Sequence, residues 1–131
     1  MGTKKKRNLF RKVPLCFFRH EAALISEVNT SLQNTATVVN SGGTLGGIGT
    51  LGAVTINSGG TIAPGNSPGT ISVGNMTWNA GGNYNWQLAN ATASAGSGWD
   101  LISSTGTLTI TANATNKFTI NLWSLSGTGP D

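Results

Sequence analysis

Residues 40–45 read Asn40-Ser41-Gly42-Gly43-Thr44-Leu45, and 17 positions later the chain reads Asn57-Ser58-Gly59-Gly60-Thr61-Ile62. A looser third copy, Asn79-Ala80-Gly81-Gly82-Asn83-Tyr84, follows 22 positions after that. A short segment of strand character precedes each copy: Thr37-Val38-Val39, then Val54-Thr55-Ile56, then Met76-Thr77-Trp78. The other half of the repeat also matches, since Gly52-Ala53-Val54-Thr55-Ile56 aligns with Gly69-Thr70-Ile71-Ser72-Val73.

Alternation such as Val54-Thr55-Ile56 puts apolar side chains on one face of a strand and hydroxyls on the other. Strands this short do not hold together alone. The Asn-Ser-Gly-Gly element supplies residues that accept positive φ, so the chain turns and starts a new strand. With a period near 17–22, each repeat makes one turn of a coil and the next turn stacks on it. Equivalent strands then pair in parallel about 4.8 Å apart. The expected fold is all-β, a parallel β-helix segment, with Asn40, Asn57 and Asn79 aligned as a ladder at one corner. About five coils and a height of ~24 Å are expected for the repeat region. Antiparallel hairpins joined by the same Gly-rich turns are the structural alternative.

Composition supports a polar β architecture. Of 131 residues, 19 are Gly, and charged residues make only 9%. Too few Ala, Leu, Glu and Lys are present for a helical bundle. A net charge of +4 is too small for a charge-driven disordered chain. Nor is that charge shared evenly: Lys4, Lys5, Lys6, Arg7, Arg11, Lys12 and Arg19 all lie in the leader. Only Lys117, Asp100 and Asp131 are charged from Asn40 onward. A nucleic-acid domain carries its basic residues on the folded face that tracks the phosphates, so no nucleic-acid partner is expected. No apolar run reaches the roughly 18 residues of a membrane-spanning helix.

Residues 1–35 read as a basic leader and a short helix outside the repeat, and residues 36–131 as the solenoid segment. The leader is no convincing signal peptide: its apolar stretch, residues 13–18, is short and contains Pro14. In residues 20–34, Leu24, Ile25, Val28 and Leu32 are spaced as one stripe of a helix that would cover the open end of the coil. Residues 89–98 are small and strand-poor, and read as a loop leaving the coil. The end, Ser126-Gly127-Thr128-Gly129-Pro130-Asp131, is a turn signal with no closing element, so truncation at the C-terminus is expected.

Active-site constellations fail on arithmetic. Cys16 and His20 are the only residues of their kinds, and both lie in the leader, so no intrachain disulfide, thiolate–imidazole pair or Ser-His-Asp triad is expected. Asp100 has only Asp131 as a possible mate for two-carboxylate glycoside chemistry. Zinc lacks a ligand set, and the Gly-Gly turns lack the aspartate of calcium-loaded β-rolls. The chain reads as neither an enzyme nor a cofactor carrier. Trp78 and Tyr84 fall at apolar repeat positions and belong to the core. Trp86 and Trp99 flank the proposed loop and are the candidates for a ligand face, with glycans as the ligand class.

The stretch Asn57-Ser58-Gly59-Gly60-Thr61-Ile62-Ala63-Pro64-Gly65-Asn66-Ser67-Pro68-Gly69-Thr70-Ile71-Ser72-Val73 resembles the autotransporter-associated β-strand repeat of bacterial passenger domains. Its turn residues are Asn57, Gly59, Gly60, Pro64, Gly65, Asn66, Pro68 and Gly69. Trp99-Asp100-Leu101-Ile102 is similar to the Asp-containing strand that commonly follows. The likeness covers about residues 40–122. It implies a right-handed β-helix stalk, displayed at the bacterial surface or released from it, that helps a passenger cross the outer membrane and fold. Adjacent coils of a longer chain and an outer-membrane translocator barrel are the implied partners. An adhesin or glycan-binding module is the alternative reading.

Overall fold

The structure is a computed structural model that describes residues 16–17 and 24–125. The rest of the leader and the tail, residues 126–131, lie outside the described part. Strand β1 (Cys16–Phe17) is followed by β2 (Leu24–Glu27), β3 (Ser31–Leu32), β4 (Thr37–Val39), β5 (Gly43–Gly47) and β6 (Thr50–Leu51). Then come β7 (Val54–Ile56), β8 (Thr61–Pro64), β9 (Thr70–Val73), β10 (Met76–Trp78), β11 (Asn83–Leu88) and β12 (Leu101–Ser104). The last two are β13 (Leu108–Ile110) and β14 (Thr119–Ser124).

Every third strand falls in the same sheet. The first wall is β1-β4-β7-β10-β13, the second β2-β5-β8-β11-β14 and the third β3-β6-β9-β12. All pairings between these strands are parallel. The chain therefore visits the three walls in rotation and climbs one strand spacing per circuit, a β-helix-like all-β stack. Hairpins between successive strands are excluded by this order.

The register of the Asn-Ser-Gly-Gly copies is the strand register, but the match of residues 52–56 with 69–73 is not one: Val54–Ile56 forms β7 in the first wall and Thr70–Val73 forms β9 in the third, because the same short alternation serves any wall. Thr37, Val54, Met76 and Leu108 stand above one another, as do Val39, Ile56, Trp78 and Ile110. On the second wall the inward column is Leu45, Ile62, Tyr84 and Ile120. Val39, Leu45, Ile56, Ile62 and Ile71 are fully buried, and together with Leu51, Val54, Val73 and Met76 they fill the interior. Burying each such aliphatic side chain contributes about 1.5–3 kcal/mol, which is what holds strands of two to six residues in place. Higher up, Trp78 stacks on Phe118 with ring centroids 4.5 Å apart and planes 7° from parallel. The last level is open: Leu108, Ile110, Ile120 and Leu122 are exposed.

The helix expected over residues 20–34 is not formed in its described part. Leu24–Glu27 is a strand paired with β5, and Ser31–Leu32 one paired with β6. Val28 is buried; its N–H donates to Gly46 O at 3.0 Å and its carbonyl accepts from Gly49 N–H. An isolated helix of this length is marginal because nucleation is costly. The open edges of β5 and β6 offer the same residues a ladder of backbone hydrogen bonds. The beginning of the expected helix, residues 20–23, lies outside the described residues.

Candidate functional site

Two features concentrate the polar interactions: the stacked Asn-Ser-Gly-Gly corner, and the segment 63–70 with the carboxylate that holds it. At the corner, Asn57 Nδ2 donates to Asn40 Oδ1 at 2.7 Å and Asn79 Nδ2 donates to Asn57 Oδ1 at 2.8 Å. Thr111 Oγ1 donates to Asn79 Oδ1 at 2.8 Å and extends the ladder by one level. Beside it the backbone forms a second column, Gly42 N–H to Gly59 O at 3.0 Å, Gly59 N–H to Gly81 O at 2.8 Å and Gly81 N–H to Lys117 O at 2.9 Å. Gly59 has φ +74°, and a Cβ there would run into Ser41 of the level below. Glycine is required twice over, by its backbone conformation and by the close approach of the stacked turn. Gly60 is buried in the same turn, and its N–H donates to Asn57 O at 2.9 Å.

The segment 63–70 leaves β8 and returns to the third wall. Pro64 is buried, Gly65 N–H donates to Gly47 O at 2.7 Å, and Asn66 is exposed at the bend. The Ser67-Pro68 peptide is cis and Ser67 has φ +77°. Asp100 then fastens the return: Oδ1 accepts Gly69 N–H at 2.8 Å and Oδ2 accepts Gln87 N–H at 3.0 Å. Its backbone takes part as well, with Trp86 Nε1 donating to Asp100 O at 2.7 Å and Asp100 N–H donating to Gln87 O at 3.0 Å. Ser67 Oγ donates to Gln87 Oε1 at 2.9 Å. A carboxylate 1% exposed is thus shared between two backbone donors on different walls. Burial raises its pKa above the ordinary aspartate value and outweighs the two N–H groups, which act the other way. Tyr84 has its pKa raised too, by burial first and by the Asp100 charge second.

All eight turn residues singled out from the sequence therefore lie at the corner or in this segment. Trp86 and Trp99 line one cleft of about 370 Å³, together with Trp78, Tyr84, Ile102 and Leu108. Both are half-buried, and the indole N–H of Trp86 is already bonded to Asp100 O. The roles of Gln87 and Thr111 were not visible in the repeat. The signal for Asp100 is its isolation, the one acid between Asn40 and the terminal Asp131 in a nearly uncharged stretch, where burial or function is the usual reason for keeping a charge.

Among the described residues no group of three or more His, Cys, Asp and Glu could hold a metal ion, and no helix is long and apolar enough to cross a membrane. The chain matches no family model, no curated protein and no solved structure. The arrangement itself has a mechanical chemistry. Hydrogen bonds run along the stack axis through side chains and backbone, so each coil is fastened to the one below.

Proposed function

We propose that the chain is a structural stalk segment of a surface-displayed or secreted bacterial passenger of the autotransporter-associated repeat type, wound as a right-handed parallel β-helix. One observation carries the reading. The stretch that bears the resemblance, residues 57–73, supplies the stacked corner, two rungs of wall and the segment clamped by Asp100. Its residue types are thus accounted for by stacking alone. The right hand follows from the general preference of crossovers between parallel strands of one sheet. In this reading, neighbouring coils of a longer chain cover the ends, and each coil that folds outside the cell opposes backsliding through a translocator barrel.

The test is display. Residues 24–125 are placed between an export signal and a translocator barrel in a bacterial host, and surface arrival is read by protease accessibility on intact cells. A Gly60→Val, Asp100→Ala variant that cannot complete its coils should reach the surface several-fold less than the parent. Equal arrival of parent and variant would sink the proposal.

A second reading, glycan adhesion, draws on the placing of Trp86 and Trp99 in one cleft. It requires Trp99→Ala to abolish retention on a glycan array while the fold is kept.

A further inference from the structure

The outer face of the first wall carries two columns of side chains in register. Val38, Thr55, Thr77 and Thr109 form one column up the stack. Two residues further along each strand, Asn40, Asn57, Asn79 and Thr111 form the other. The parallel ladder runs on through this second column: Asn57 N–H donates to Val39 O and Asn79 N–H to Ile56 O, both at 2.9 Å, and Thr111 N–H to Trp78 O at 3.0 Å. Val39 and Ile56, which lie between the columns, are fully buried, so by strand alternation both columns share the outward side. Successive levels therefore read Thr55-Ile56-Asn57, Thr77-Trp78-Asn79 and Thr109-Ile110-Thr111. That pattern holds although the circuits joining them take 22 and then 32 residues.

Both columns are fixed in advance of any ligand. The amides of one are bonded end to end, and side-chain ladders of this kind hold a sheet flat. The threonines of the other are β-branched and stiff at χ1. Thr55 and Thr77 are half-exposed and Thr109 is exposed, and their hydroxyls bond to nothing among the described residues. No side chain in either column is charged or aromatic. The other walls offer no such plane. On the second, the outer face sinks at Gly46 and Ala63 into a hollow of about 410 Å³ lined also by Glu27. On the third, Thr50, Ser72 and Ser103 make a single column.

We propose that this face of the first wall binds ice. Its levels are about 4.8 Å apart along the axis, and its columns stand about 6.6 Å apart, two residues at about 3.3 Å each. The oxygens on the prism face of hexagonal ice repeat on a rectangular grid that differs from this one by less than an ångström in each direction. Water held by the hydroxyls and amides takes up positions that continue that grid, and a water-mediated contact is nearly as good as a direct one. A rigid array also avoids the ordering cost that a flexible polar surface pays on binding. A sugar ring fits this face less well, because it has no aromatic side chain to stack on. The proposal rests on the face alone and stands apart from the stalk reading.

The test is the growth of ice in solutions of the full chain. Annealed polycrystalline ice should coarsen more slowly than in buffer, and a single crystal held just below its melting point should become faceted. Thr77→Lys and Thr55→Lys each raise an ammonium group from the middle of the plane. Each should increase the concentration needed at least about tenfold, or roughly 1.4 kcal/mol of affinity. Ser103→Lys makes the same change on the third wall and should leave the effect intact. Circular dichroism in the cold shows which variants are folded, and either Thr variant carries the comparison if the other is not. Ice that grows as it does in buffer overturns the proposal, and so does an equal loss in Ser103→Lys. Sedimentation supplies a further check: a dimer that Thr77→Lys separates would put a second copy of the chain on this face and overturn it too. None of these readouts depends on surface display, so this proposal and the stalk reading fail separately.

Discussion

Asp100 Oδ1 accepts the backbone N–H of Gly69 at 2.8 Å across 31 residues of sequence, from a carboxylate that is 1% exposed. The same group takes Gln87 N–H on its other oxygen. One side chain therefore stands in for ladder bonds where segment 63–70 and loop 89–98 interrupt the regular coil. Asp100→Ala would leave both donors without an acceptor, and each buried unpaired group costs about 1–3 kcal/mol. We expect a loss of roughly 2–4 kcal/mol in urea unfolding, with Asp100→Asn losing less because one acceptor oxygen survives. A loss under about 1 kcal/mol for Asp100→Ala would show that water satisfies these donors instead.

The same burial sets a pH dependence whose sign differs from that of a salt-bridged carboxylate. With its pKa raised in the folded state, Asp100 binds its proton more tightly there than in the unfolded chain. The contribution of this group to stability is therefore complete below the unfolded aspartate value, about 3.9, and is lost as pH rises through the higher folded value. Unfolding free energies measured between pH 7 and 4 should show the wild type gaining on Asp100→Asn as the solution is acidified. The opposite trend would mean that the Gly69 and Gln87 donors, rather than burial, control the titration.

How far the fold was legible depended on local repetition. The copies at Asn40 and Asn57 differ by one residue in six, so turn, strand and register could be read directly. Beyond Asn79 the step lengthens to 32 residues, because loop 89–98 is inserted into the circuit. Thr111 then takes the ladder position without being an asparagine, and no motif marks it. The stripe of Leu24, Ile25, Val28 and Leu32 misled for a different reason: four apolar residues fit both a helix and two short strands, and only the edge of β5 decides between them. Gly69 and Asp100 are each visible in the sequence, but their pairing is tertiary and has no local signature.

The asparagine ladder should be strongest in the middle. Asn57 both donates to Asn40 and accepts from Asn79, so Asn57→Ala removes two bonds and takes away the acceptor of Asn79 Nδ2. At about 0.5–1.5 kcal/mol per net hydrogen bond, the expected cost is roughly 1–3 kcal/mol. Thr111→Val removes only the bond to Asn79 at the exposed end and should cost about 1 kcal/mol or less. Thermal unfolding of the two variants side by side checks the order. Equal losses would mean that the neighbouring column of glycine backbone bonds, not the amides, fastens the corner.

Inward and outward alternation gives the sharpest contrast between adjacent positions. Ile56 is fully buried between Val39 below and Trp78 above, and its wall neighbour Thr55 is half-exposed between Val38 and Thr77 on the outer face. Ile56→Asp brings a carboxyl group into an apolar interior, removes the packing of an aliphatic side chain, and should cost about 4 kcal/mol or more. Thr55→Asp keeps its group in water, gives up some β propensity, and should cost about 1 kcal/mol or less. Circular dichroism during urea titration distinguishes the two cases, with Ile56→Asp unfolded or nearly so before denaturant is added. Similar midpoints for both variants would contradict the register that places Ile56, Val39 and Trp78 in one inward column.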